Sequence, residues 1–238
     1  MILDINIHRN ILIRILKDIF TDMSVGPFLG FKGGTAAYLF YGLERFSVDL
    51  DFDLLDEAKE KQVFEQIKKI LASYGQIKDA KEKRNTLFYL LSYTDKVQSA
   101  RNIKVAINRI NFGSKYEVKQ HLGISMQVIS KEDMVANKFV AMQERIGKTN
   151  RDIFDVCFFL KNNWPINKAI IEKRAKLPFR KFLKKCIHSL DKMSNRNILS
   201  GIGELLGDKQ KAWVKANLRA ETIFLLKLKL DNEIKADY

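Results

Sequence analysis

Asp49, Asp51 and Asp53 stand at alternate positions of "SVDLDFDLL", separated by Val48, Leu50, Phe52 and Leu54. Side chains along a β-strand alternate faces, so a strand over 48–55 would turn the apolar residues one way and all three acids the other. Neighbouring acids would then lie ~7 Å apart, from two rises of ~3.3 Å. Carboxylates so crowded against a half-buried surface raise one another's pKa unless water or a cation lies between them. Hard oxygen ligands in this arrangement suit Mg²⁺, which takes one or two carboxylates and fills its other positions with water and substrate phosphates. A solvated strand face on which acids happen to alternate is the plainer reading.

Just upstream, "PFLGFK" reads as a short strand leading into Gly33-Gly34, and "TAAYLFYGL" has the alanines and length of a helix with Thr35 as its cap. A glycine turn feeding a helix presents backbone N–H groups where phosphate binds readily. Such pairs also open many ordinary turns. Together the two features offer a phosphate cradle and, one connection later, metal-binding carboxylates.

Other elements must hold these residues in place. Residues 5–22 carry Ile7, Ile11, Leu12, Ile15, Leu16, Ile19 and Phe20 at helical spacing. "EAKEKQVFEQIKKILASYG" is a charged amphipathic helix stopped by Gly75. "TLFYLLSYT" and "IKVAINRI" read as strands joined by the polar "DKVQSARN". From Ser130 the pattern is helical to the end, beginning with a capping-box-like Ser130 and Asp133, and the stretch 211–230 is expected to be the longest helix. This order predicts a mixed α/β part, 1–129, and an all-helical part, 130–238.

Two helical residues have chemistry to offer. Lys138 falls inside the apolar stripe of Met134, Val135, Phe139, Met142 and Ile146. A lysine facing inward needs a partner or a phosphate; one at the stripe's edge simply snorkels. Arg151-Asp152 opens the next helix, where an acid is favoured by the dipole in any case. Asp155, one turn on, is placed to hold Arg151 or Arg145.

The run "KGGTAAYLFYGLERFSVDLDF", with Gly33, Gly34, Arg45, Ser47, Asp49 and Asp51, resembles the first motif of the AbiEii-type (AbiEii/AbiGii, MenT-like) nucleotidyltransferase toxins of the DNA polymerase β-like superfamily. "SKEDMVANKFVA" resembles their lysine motif, with Lys138 in the lysine position, and "NRDIFDV" their last motif, with Asp152 and Asp155. The resemblance covers residues 30 to 160 and implies an α+β fold: a polymerase β-like mixed sheet flanked by helices, followed by a helical C-terminal part that completes the active site. It implies Asp49 and Asp51 as ligands of Mg²⁺ and Gly33 and Gly34 as the triphosphate cradle. It further implies Lys138 and Asp152 in catalysis, with Arg45, Ser47, Arg151 and Asp155 contributing to nucleotide binding.

One departure stands out. Superfamily members commonly bring a third carboxylate from a later strand, here "IKVAINRI", whose polar face carries Lys104, Ala106 and Asn108. Ala106 neither binds a metal nor takes a proton. Either another acid such as Asp53 or Asp152 substitutes, or two carboxylates and one metal suffice, or the fold persists with weak activity. The second option is favoured, because phosphoryl chemistry depends mostly on positioning and charge neutralisation.

The charge balance points to the partner. The chain carries 42 Lys+Arg against 28 Asp+Glu, a net +14, with no apolar run long enough to span a membrane. Residues 168–192 concentrate the excess: Lys168, Lys173, Arg174, Lys176, Arg180, Lys181, Lys184, Lys185 and Lys192 face only Glu172 and Asp191. Such a run is commonly a solvated helix face, but in a nucleotide-holding protein it suits an RNA backbone. Asp4 near the start argues against a secretory signal, and Cys157, Cys186 and the scattered His8, His121 and His188 lack metal-ligand spacing. The expectation is a cytoplasmic toxin that moves a nucleotide from a nucleoside triphosphate to an RNA 3′ end, with tRNA as the RNA that the resemblance implies and a cognate antitoxin as partner. Nucleotidylation of a small molecule or protein hydroxyl, or nucleotide and RNA binding without chemistry, are the competing readings.

Overall fold

The computed structural model describes residues 4–94 and 100–235; residues 95–99, most of the polar connection "DKVQSARN", and three residues at each end lie outside that description. The chain divides into two compact units, Met1–Gly42 with Phe46–Ser130, and Leu43–Arg45 with Lys131–Tyr238.

In the first unit, helix α1 (Ile5–Thr21) starts where the Asp4 carboxylate accepts the backbone N–H groups of Asn6 and Ile7, and it buries Leu12, Ile15, Leu16 and Ile19. Strand β1 (Leu29–Lys32) runs directly into helix α2 (Gly33–Tyr41). After β2 (Leu50–Leu54) and helix α3 (Glu60–Ala72) come β3 (Gln76–Lys83), β4 (Thr86–Thr94), β5 (Ala100–Asn108), β6 (Tyr116–His121) and β7 (Ile124–Ile129). These form one sheet in the order β3-β4-β5-β2-β1-β7-β6. β2 is antiparallel to β1 and parallel to β5, while β1 is parallel to β7.

The apolar half of the alternation fills the core. Phe31, Leu50, Phe52, Val105, Ile107 and Val128 have no exposed surface, and the rings of Phe31 and Phe52 lie 5.4 Å apart. Each such side chain contributes roughly 1.5–3 kcal/mol on burial, so the register of β2 is fixed by its apolar face. That register obliges the acids to share the opposite face.

Three strands carry no clear signal in the sequence. β3 is a sheet edge of half-exposed, mostly charged residues, which discourages pairing with another chain and erases the alternation. β6 and β7 are joined by Leu122-Gly123, both at positive φ, so a leucine occupies a turn position usually marked by asparagine or aspartate.

The second unit is helical: α4 (Lys131–Arg145), α5 (Arg151–Lys161), α6 (Lys168–Ala175), α7 (Phe179–Lys192) and α8 (Asp208–Lys235). α8 is indeed the longest and exceeds the expected 211–230 at both ends. α7 buries Phe179, Phe182, Leu183, Cys186 and Leu190, leaving Lys181, Lys184, Lys185, His188 and Lys192 exposed along the other side. Three basic residues of the 168–192 run turn to internal partners instead: Lys168 to Glu233, Arg174 to Asn137, and Arg180 to the Glu233 carbonyl. Cys157 and Cys186 are free and buried, and burial pushes the Cys186 thiol up to about 12. Among the described residues no helix is long and apolar enough to cross a membrane.

Gly30 on β1 lies beneath the Tyr116 ring, which occupies the space a Cβ would need. Gly30→Ala therefore costs about 1–3 kcal/mol in urea denaturation. The loss shrinks in a Tyr116→Ala background, and additive losses in the two variants would contradict this packing.

Candidate active site

β2 begins at Leu50, two residues later than the alternation suggests, so Asp49 ends the irregular segment before the strand and Asp51 and Asp53 lie within it. The two glycines do not precede a helix cap. They are the first two residues of α2, its N-cap is Lys32, and Thr35 is in the first turn. Their N–H groups thus belong to the helix's unsatisfied first turn, the electropositive end.

This turn is packed onto the acids. Gly33 has φ +81°, and a Cβ built there would lie 2.5 Å from Asp51 Oδ2 and 2.8 Å from Asp51 Cβ. Only glycine accommodates both the dihedral and the carboxylate. The Thr35 hydroxyl donates to the Asp49 carbonyl, fixing the neighbouring backbone. From the other side, buried His8 meets the Val48 carbonyl through Nε2 at 3.0 Å and the Tyr93 hydroxyl through Nδ1 at 2.6 Å. Because a carbonyl only accepts, Nε2 carries the proton and Nδ1 accepts from Tyr93. Burial lowers the pKa of His8, in keeping with a neutral ring. Ser47 is buried just upstream. Thr35 and His8 hold the Asp49 segment without any motif that a sequence would display.

The three acids meet different surroundings. Asp53 accepts from Lys32, from Tyr116 and from Asn108 Nδ2, the last at 2.8 Å. It is a satisfied structural carboxylate, which argues against its serving as a third metal ligand. Asp51 lies opposite Ala106 in the β2–β5 register, so the neighbouring strand brings methyl rather than carboxylate to the pair. Lys104, two residues earlier on β5, places Nζ 3.7 Å from Asp49 Oδ2. Among the described residues no group of three or more His, Cys, Asp or Glu could hold a metal ion. The donor set that fits a hard divalent cation here is a pair of aspartates, the number of carboxylates that Mg²⁺ commonly takes alongside water and phosphate oxygens.

The second unit gathers the remaining charged residues. Lys138 is buried in the α4 stripe, its Nζ 3.1 Å from Asp152 Oδ1 and 2.6 Å from Asp155 Oδ2. Asp155 also receives Arg45 in a two-pronged pair, Nε to Oδ1 at 2.6 Å and Nη2 to Oδ2 at 2.7 Å. Arg145, one of the two arginines expected at Asp155, pairs with Asp152 instead, Nη2 to Oδ2 at 3.0 Å, while Asp155 is held by Arg45 and Lys138. Arg151 opens α5. Proximity in sequence suggested the wrong arginine, because Arg45 reaches Asp155 across 110 residues. Asp152 and Asp155 have no exposed surface, and each is engaged by two cations.

Burial alone would push the Asp155 carboxyl up, but the Arg45 guanidinium and then the Lys138 ammonium outweigh it and hold it at about 2, below its ordinary 3.8. Its folded pKa lies below its unfolded one, so the stability it supplies is complete above pH 3.8 and lost as the pH falls through about 2. Asp155→Asn leaves the Arg45 charge buried with a neutral partner. It should cost about 3–5 kcal/mol at neutral pH by urea denaturation, with the gap to wild type closing as the pH drops from 4 towards 2.

Comparison with known proteins agrees with this architecture. A search of curated proteins finds no match. Among solved structures, JHP933 from Helicobacter pylori aligns with TM-score 0.65 and 22% identity over 99% of this chain and 97% of that one. MenT4, a nucleotidyltransferase toxin from Mycobacterium tuberculosis, aligns with TM-score 0.60 and 16% identity over 91% and 82%. Identities this low carry the fold, a mixed sheet with flanking helices and a helical C-terminal part, as expected. The family model "Nucleotidyl transferase AbiEii toxin, Type IV TA system" matches residues 14–232, which include the glycine helix, the aspartate strand and the Lys138 network. The chain therefore belongs to the AbiEii family of type IV nucleotidyltransferase toxins and is a transferase.

Proposed function

We propose that this transferase moves a nucleotide from a nucleoside triphosphate to an RNA 3′ hydroxyl, that of a tRNA, in a Mg²⁺-dependent reaction. The observation that supports the reading is the packing of the Asp51 carboxylate against Gly33 at the head of α2, which brings a carboxylate beside the first-turn N–H groups of a helix. A triphosphate tail needs both.

In this reading Asp49 and Asp51 hold the cation, which supplies charge neutralisation to the phosphates when bound. Gly33 and Gly34 receive the triphosphate through their backbone N–H groups. The hydroxyl oxygen of the acceptor bonds to the α-phosphorus and gives up its proton to solvent as the bond from the α-phosphorus to the oxygen bridging to the β-phosphate breaks, and pyrophosphate leaves. With Asp53 and Asp152 both engaged elsewhere and Ala106 beside Asp51, the chain offers no free third carboxylate among the residues weighed for that role. Positioning and charge neutralisation must then supply most of the acceleration.

On the second unit, Lys138, Asp152 and Arg151 are assigned to nucleotide recognition. Arg45 and Asp155 support Lys138 by fixing its charge and rotamer. The exposed stripe of Lys181, Lys184, Lys185, His188 and Lys192 on α7 is assigned to the RNA backbone, since phosphate neutralisation dominates nucleic-acid affinity. A cognate antitoxin and a cytoplasmic setting go with this assignment.

Incubation with Mg²⁺, each labelled nucleoside triphosphate and total RNA should label tRNA; labelled protein or a labelled small molecule would redirect the assignment. Asp49→Ala with Asp51→Ala should lower incorporation about 1,000-fold or more with the fold retained, and undiminished labelling would reject the site. Gly33→Ala, by displacing Asp51, should lower it about 100-fold, a loss of the size expected for a misplaced catalytic group.

A further inference from the structure

The face of the sheet that carries the acids has a second row of residues, on β5. Asp51 stands opposite Ala106 and Asp53 opposite Asn108, and the next residue of that row, Lys104, reaches Asp49. The acids are therefore faced by a cation, a methyl and an amide in turn. Asn108 is consumed by Asp53. Ala106 brings only a methyl. Lys104 brings positive charge to the pair that the proposed function assigns to the metal.

We propose that Lys104 is a resident counter-cation of the metal site: its ammonium neutralises Asp49 and limits the Asp49–Asp51 pair to a single, weakly held divalent ion until a triphosphate arrives. The inference rests on the proposed function for the role of the two aspartates. Its own basis is the 3.7 Å separation of Lys104 Nζ and Asp49 Oδ2 and the lack of an acid opposite Asp51.

The electrostatics follow directly. An ammonium this close to one ligand repels a divalent ion bound at the same carboxylate, and part-burial of both side chains, 34% and 17% exposed, keeps that repulsion from full solvent screening. A nucleoside triphosphate adds negative charge on the metal's open side and tips the balance towards binding. The carboxylate pair is thereby spared self-repulsion in the empty protein, and the cation is taken up together with its nucleotide. Lys104 is in this sense a positioning residue that acts through Asp49.

The test is Mn²⁺ binding to the nucleotide-free protein, followed by electron paramagnetic resonance and by calorimetry, in a graded series at position 104. Lys104→Met should bind Mn²⁺ at least fivefold more tightly than wild type, Lys104→Glu more tightly still, and Lys104→Arg within twofold of wild type. The ratio of affinities with and without a non-hydrolysable triphosphate should shrink in the same order. Lys104→Gln serves in place of the methionine variant if that one fails to fold, and thermal melts verify folding throughout.

Affinities that stay flat or weaken across the series overturn the inference. If the series is flat while Asp49→Ala with Asp51→Ala abolishes Mn²⁺ binding, only the role of Lys104 fails. If the double variant keeps wild-type Mn²⁺ binding, the metal pair fails and the Lys104 inference falls with it.

Discussion

The site in the first unit depends on a missing side chain. At Gly33 the chain leaves β1 at positive φ and starts α2 with the Asp51 carboxylate pressed against its backbone, where any Cβ would collide with that group. One contact thus couples the electropositive end of a helix to an acid on the adjacent antiparallel strand. Thr35 ties the same helical turn to the backbone of Asp49. In the proposed function, the distance between the helix N-terminus that would receive phosphate and the acid that would bind metal is accordingly set by backbone geometry, with no flexible side chain between them, which is the condition for preorganisation.

The rest of the acidic face is arranged so that charge does not undo this. Asp53 would repel Asp51 if left bare, and it is silenced by a lysine, a tyrosine and an asparagine from three strands. Asp49 has Lys104. The apolar residues that alternate with these acids lock the strand register, so the charged face cannot slip away from its partners without exposing Phe52 and Leu50. Stability and chemistry here share a single constraint, the pleat of β2.

The second unit shows the other way of placing charge. Lys138 and Arg45 are buried and joined to Asp152 and Asp155, with Arg145 on Asp152 from a more exposed position. A buried network of this kind adds little net stability over apolar packing, but losing one member strands its partner. Its value is orientation: the ammonium of Lys138 is held by two carboxylates that are themselves fixed on α5. Lys138 is thus neither the snorkelling lysine of a helix edge nor an isolated charge awaiting phosphate.

By itself the sequence determined the helices, the four apolar strands β1, β2, β4 and β5, and the order of a mixed sheet followed by helices. Those features are local, written in periods of 2 and 3.6 or in motifs of a few residues. Three strands escaped it, since β3 is masked by edge charges and β6–β7 turn through a leucine. Only the tertiary structure decided that Thr35 serves Asp49 rather than capping α2, that Asp53 is structural, that Arg45 rather than Arg145 holds Asp155, and that Lys104 approaches Asp49. Each of these is a contact between elements distant in sequence. Periodicity tells which face a side chain takes, whereas its partner is chosen by packing of the whole unit.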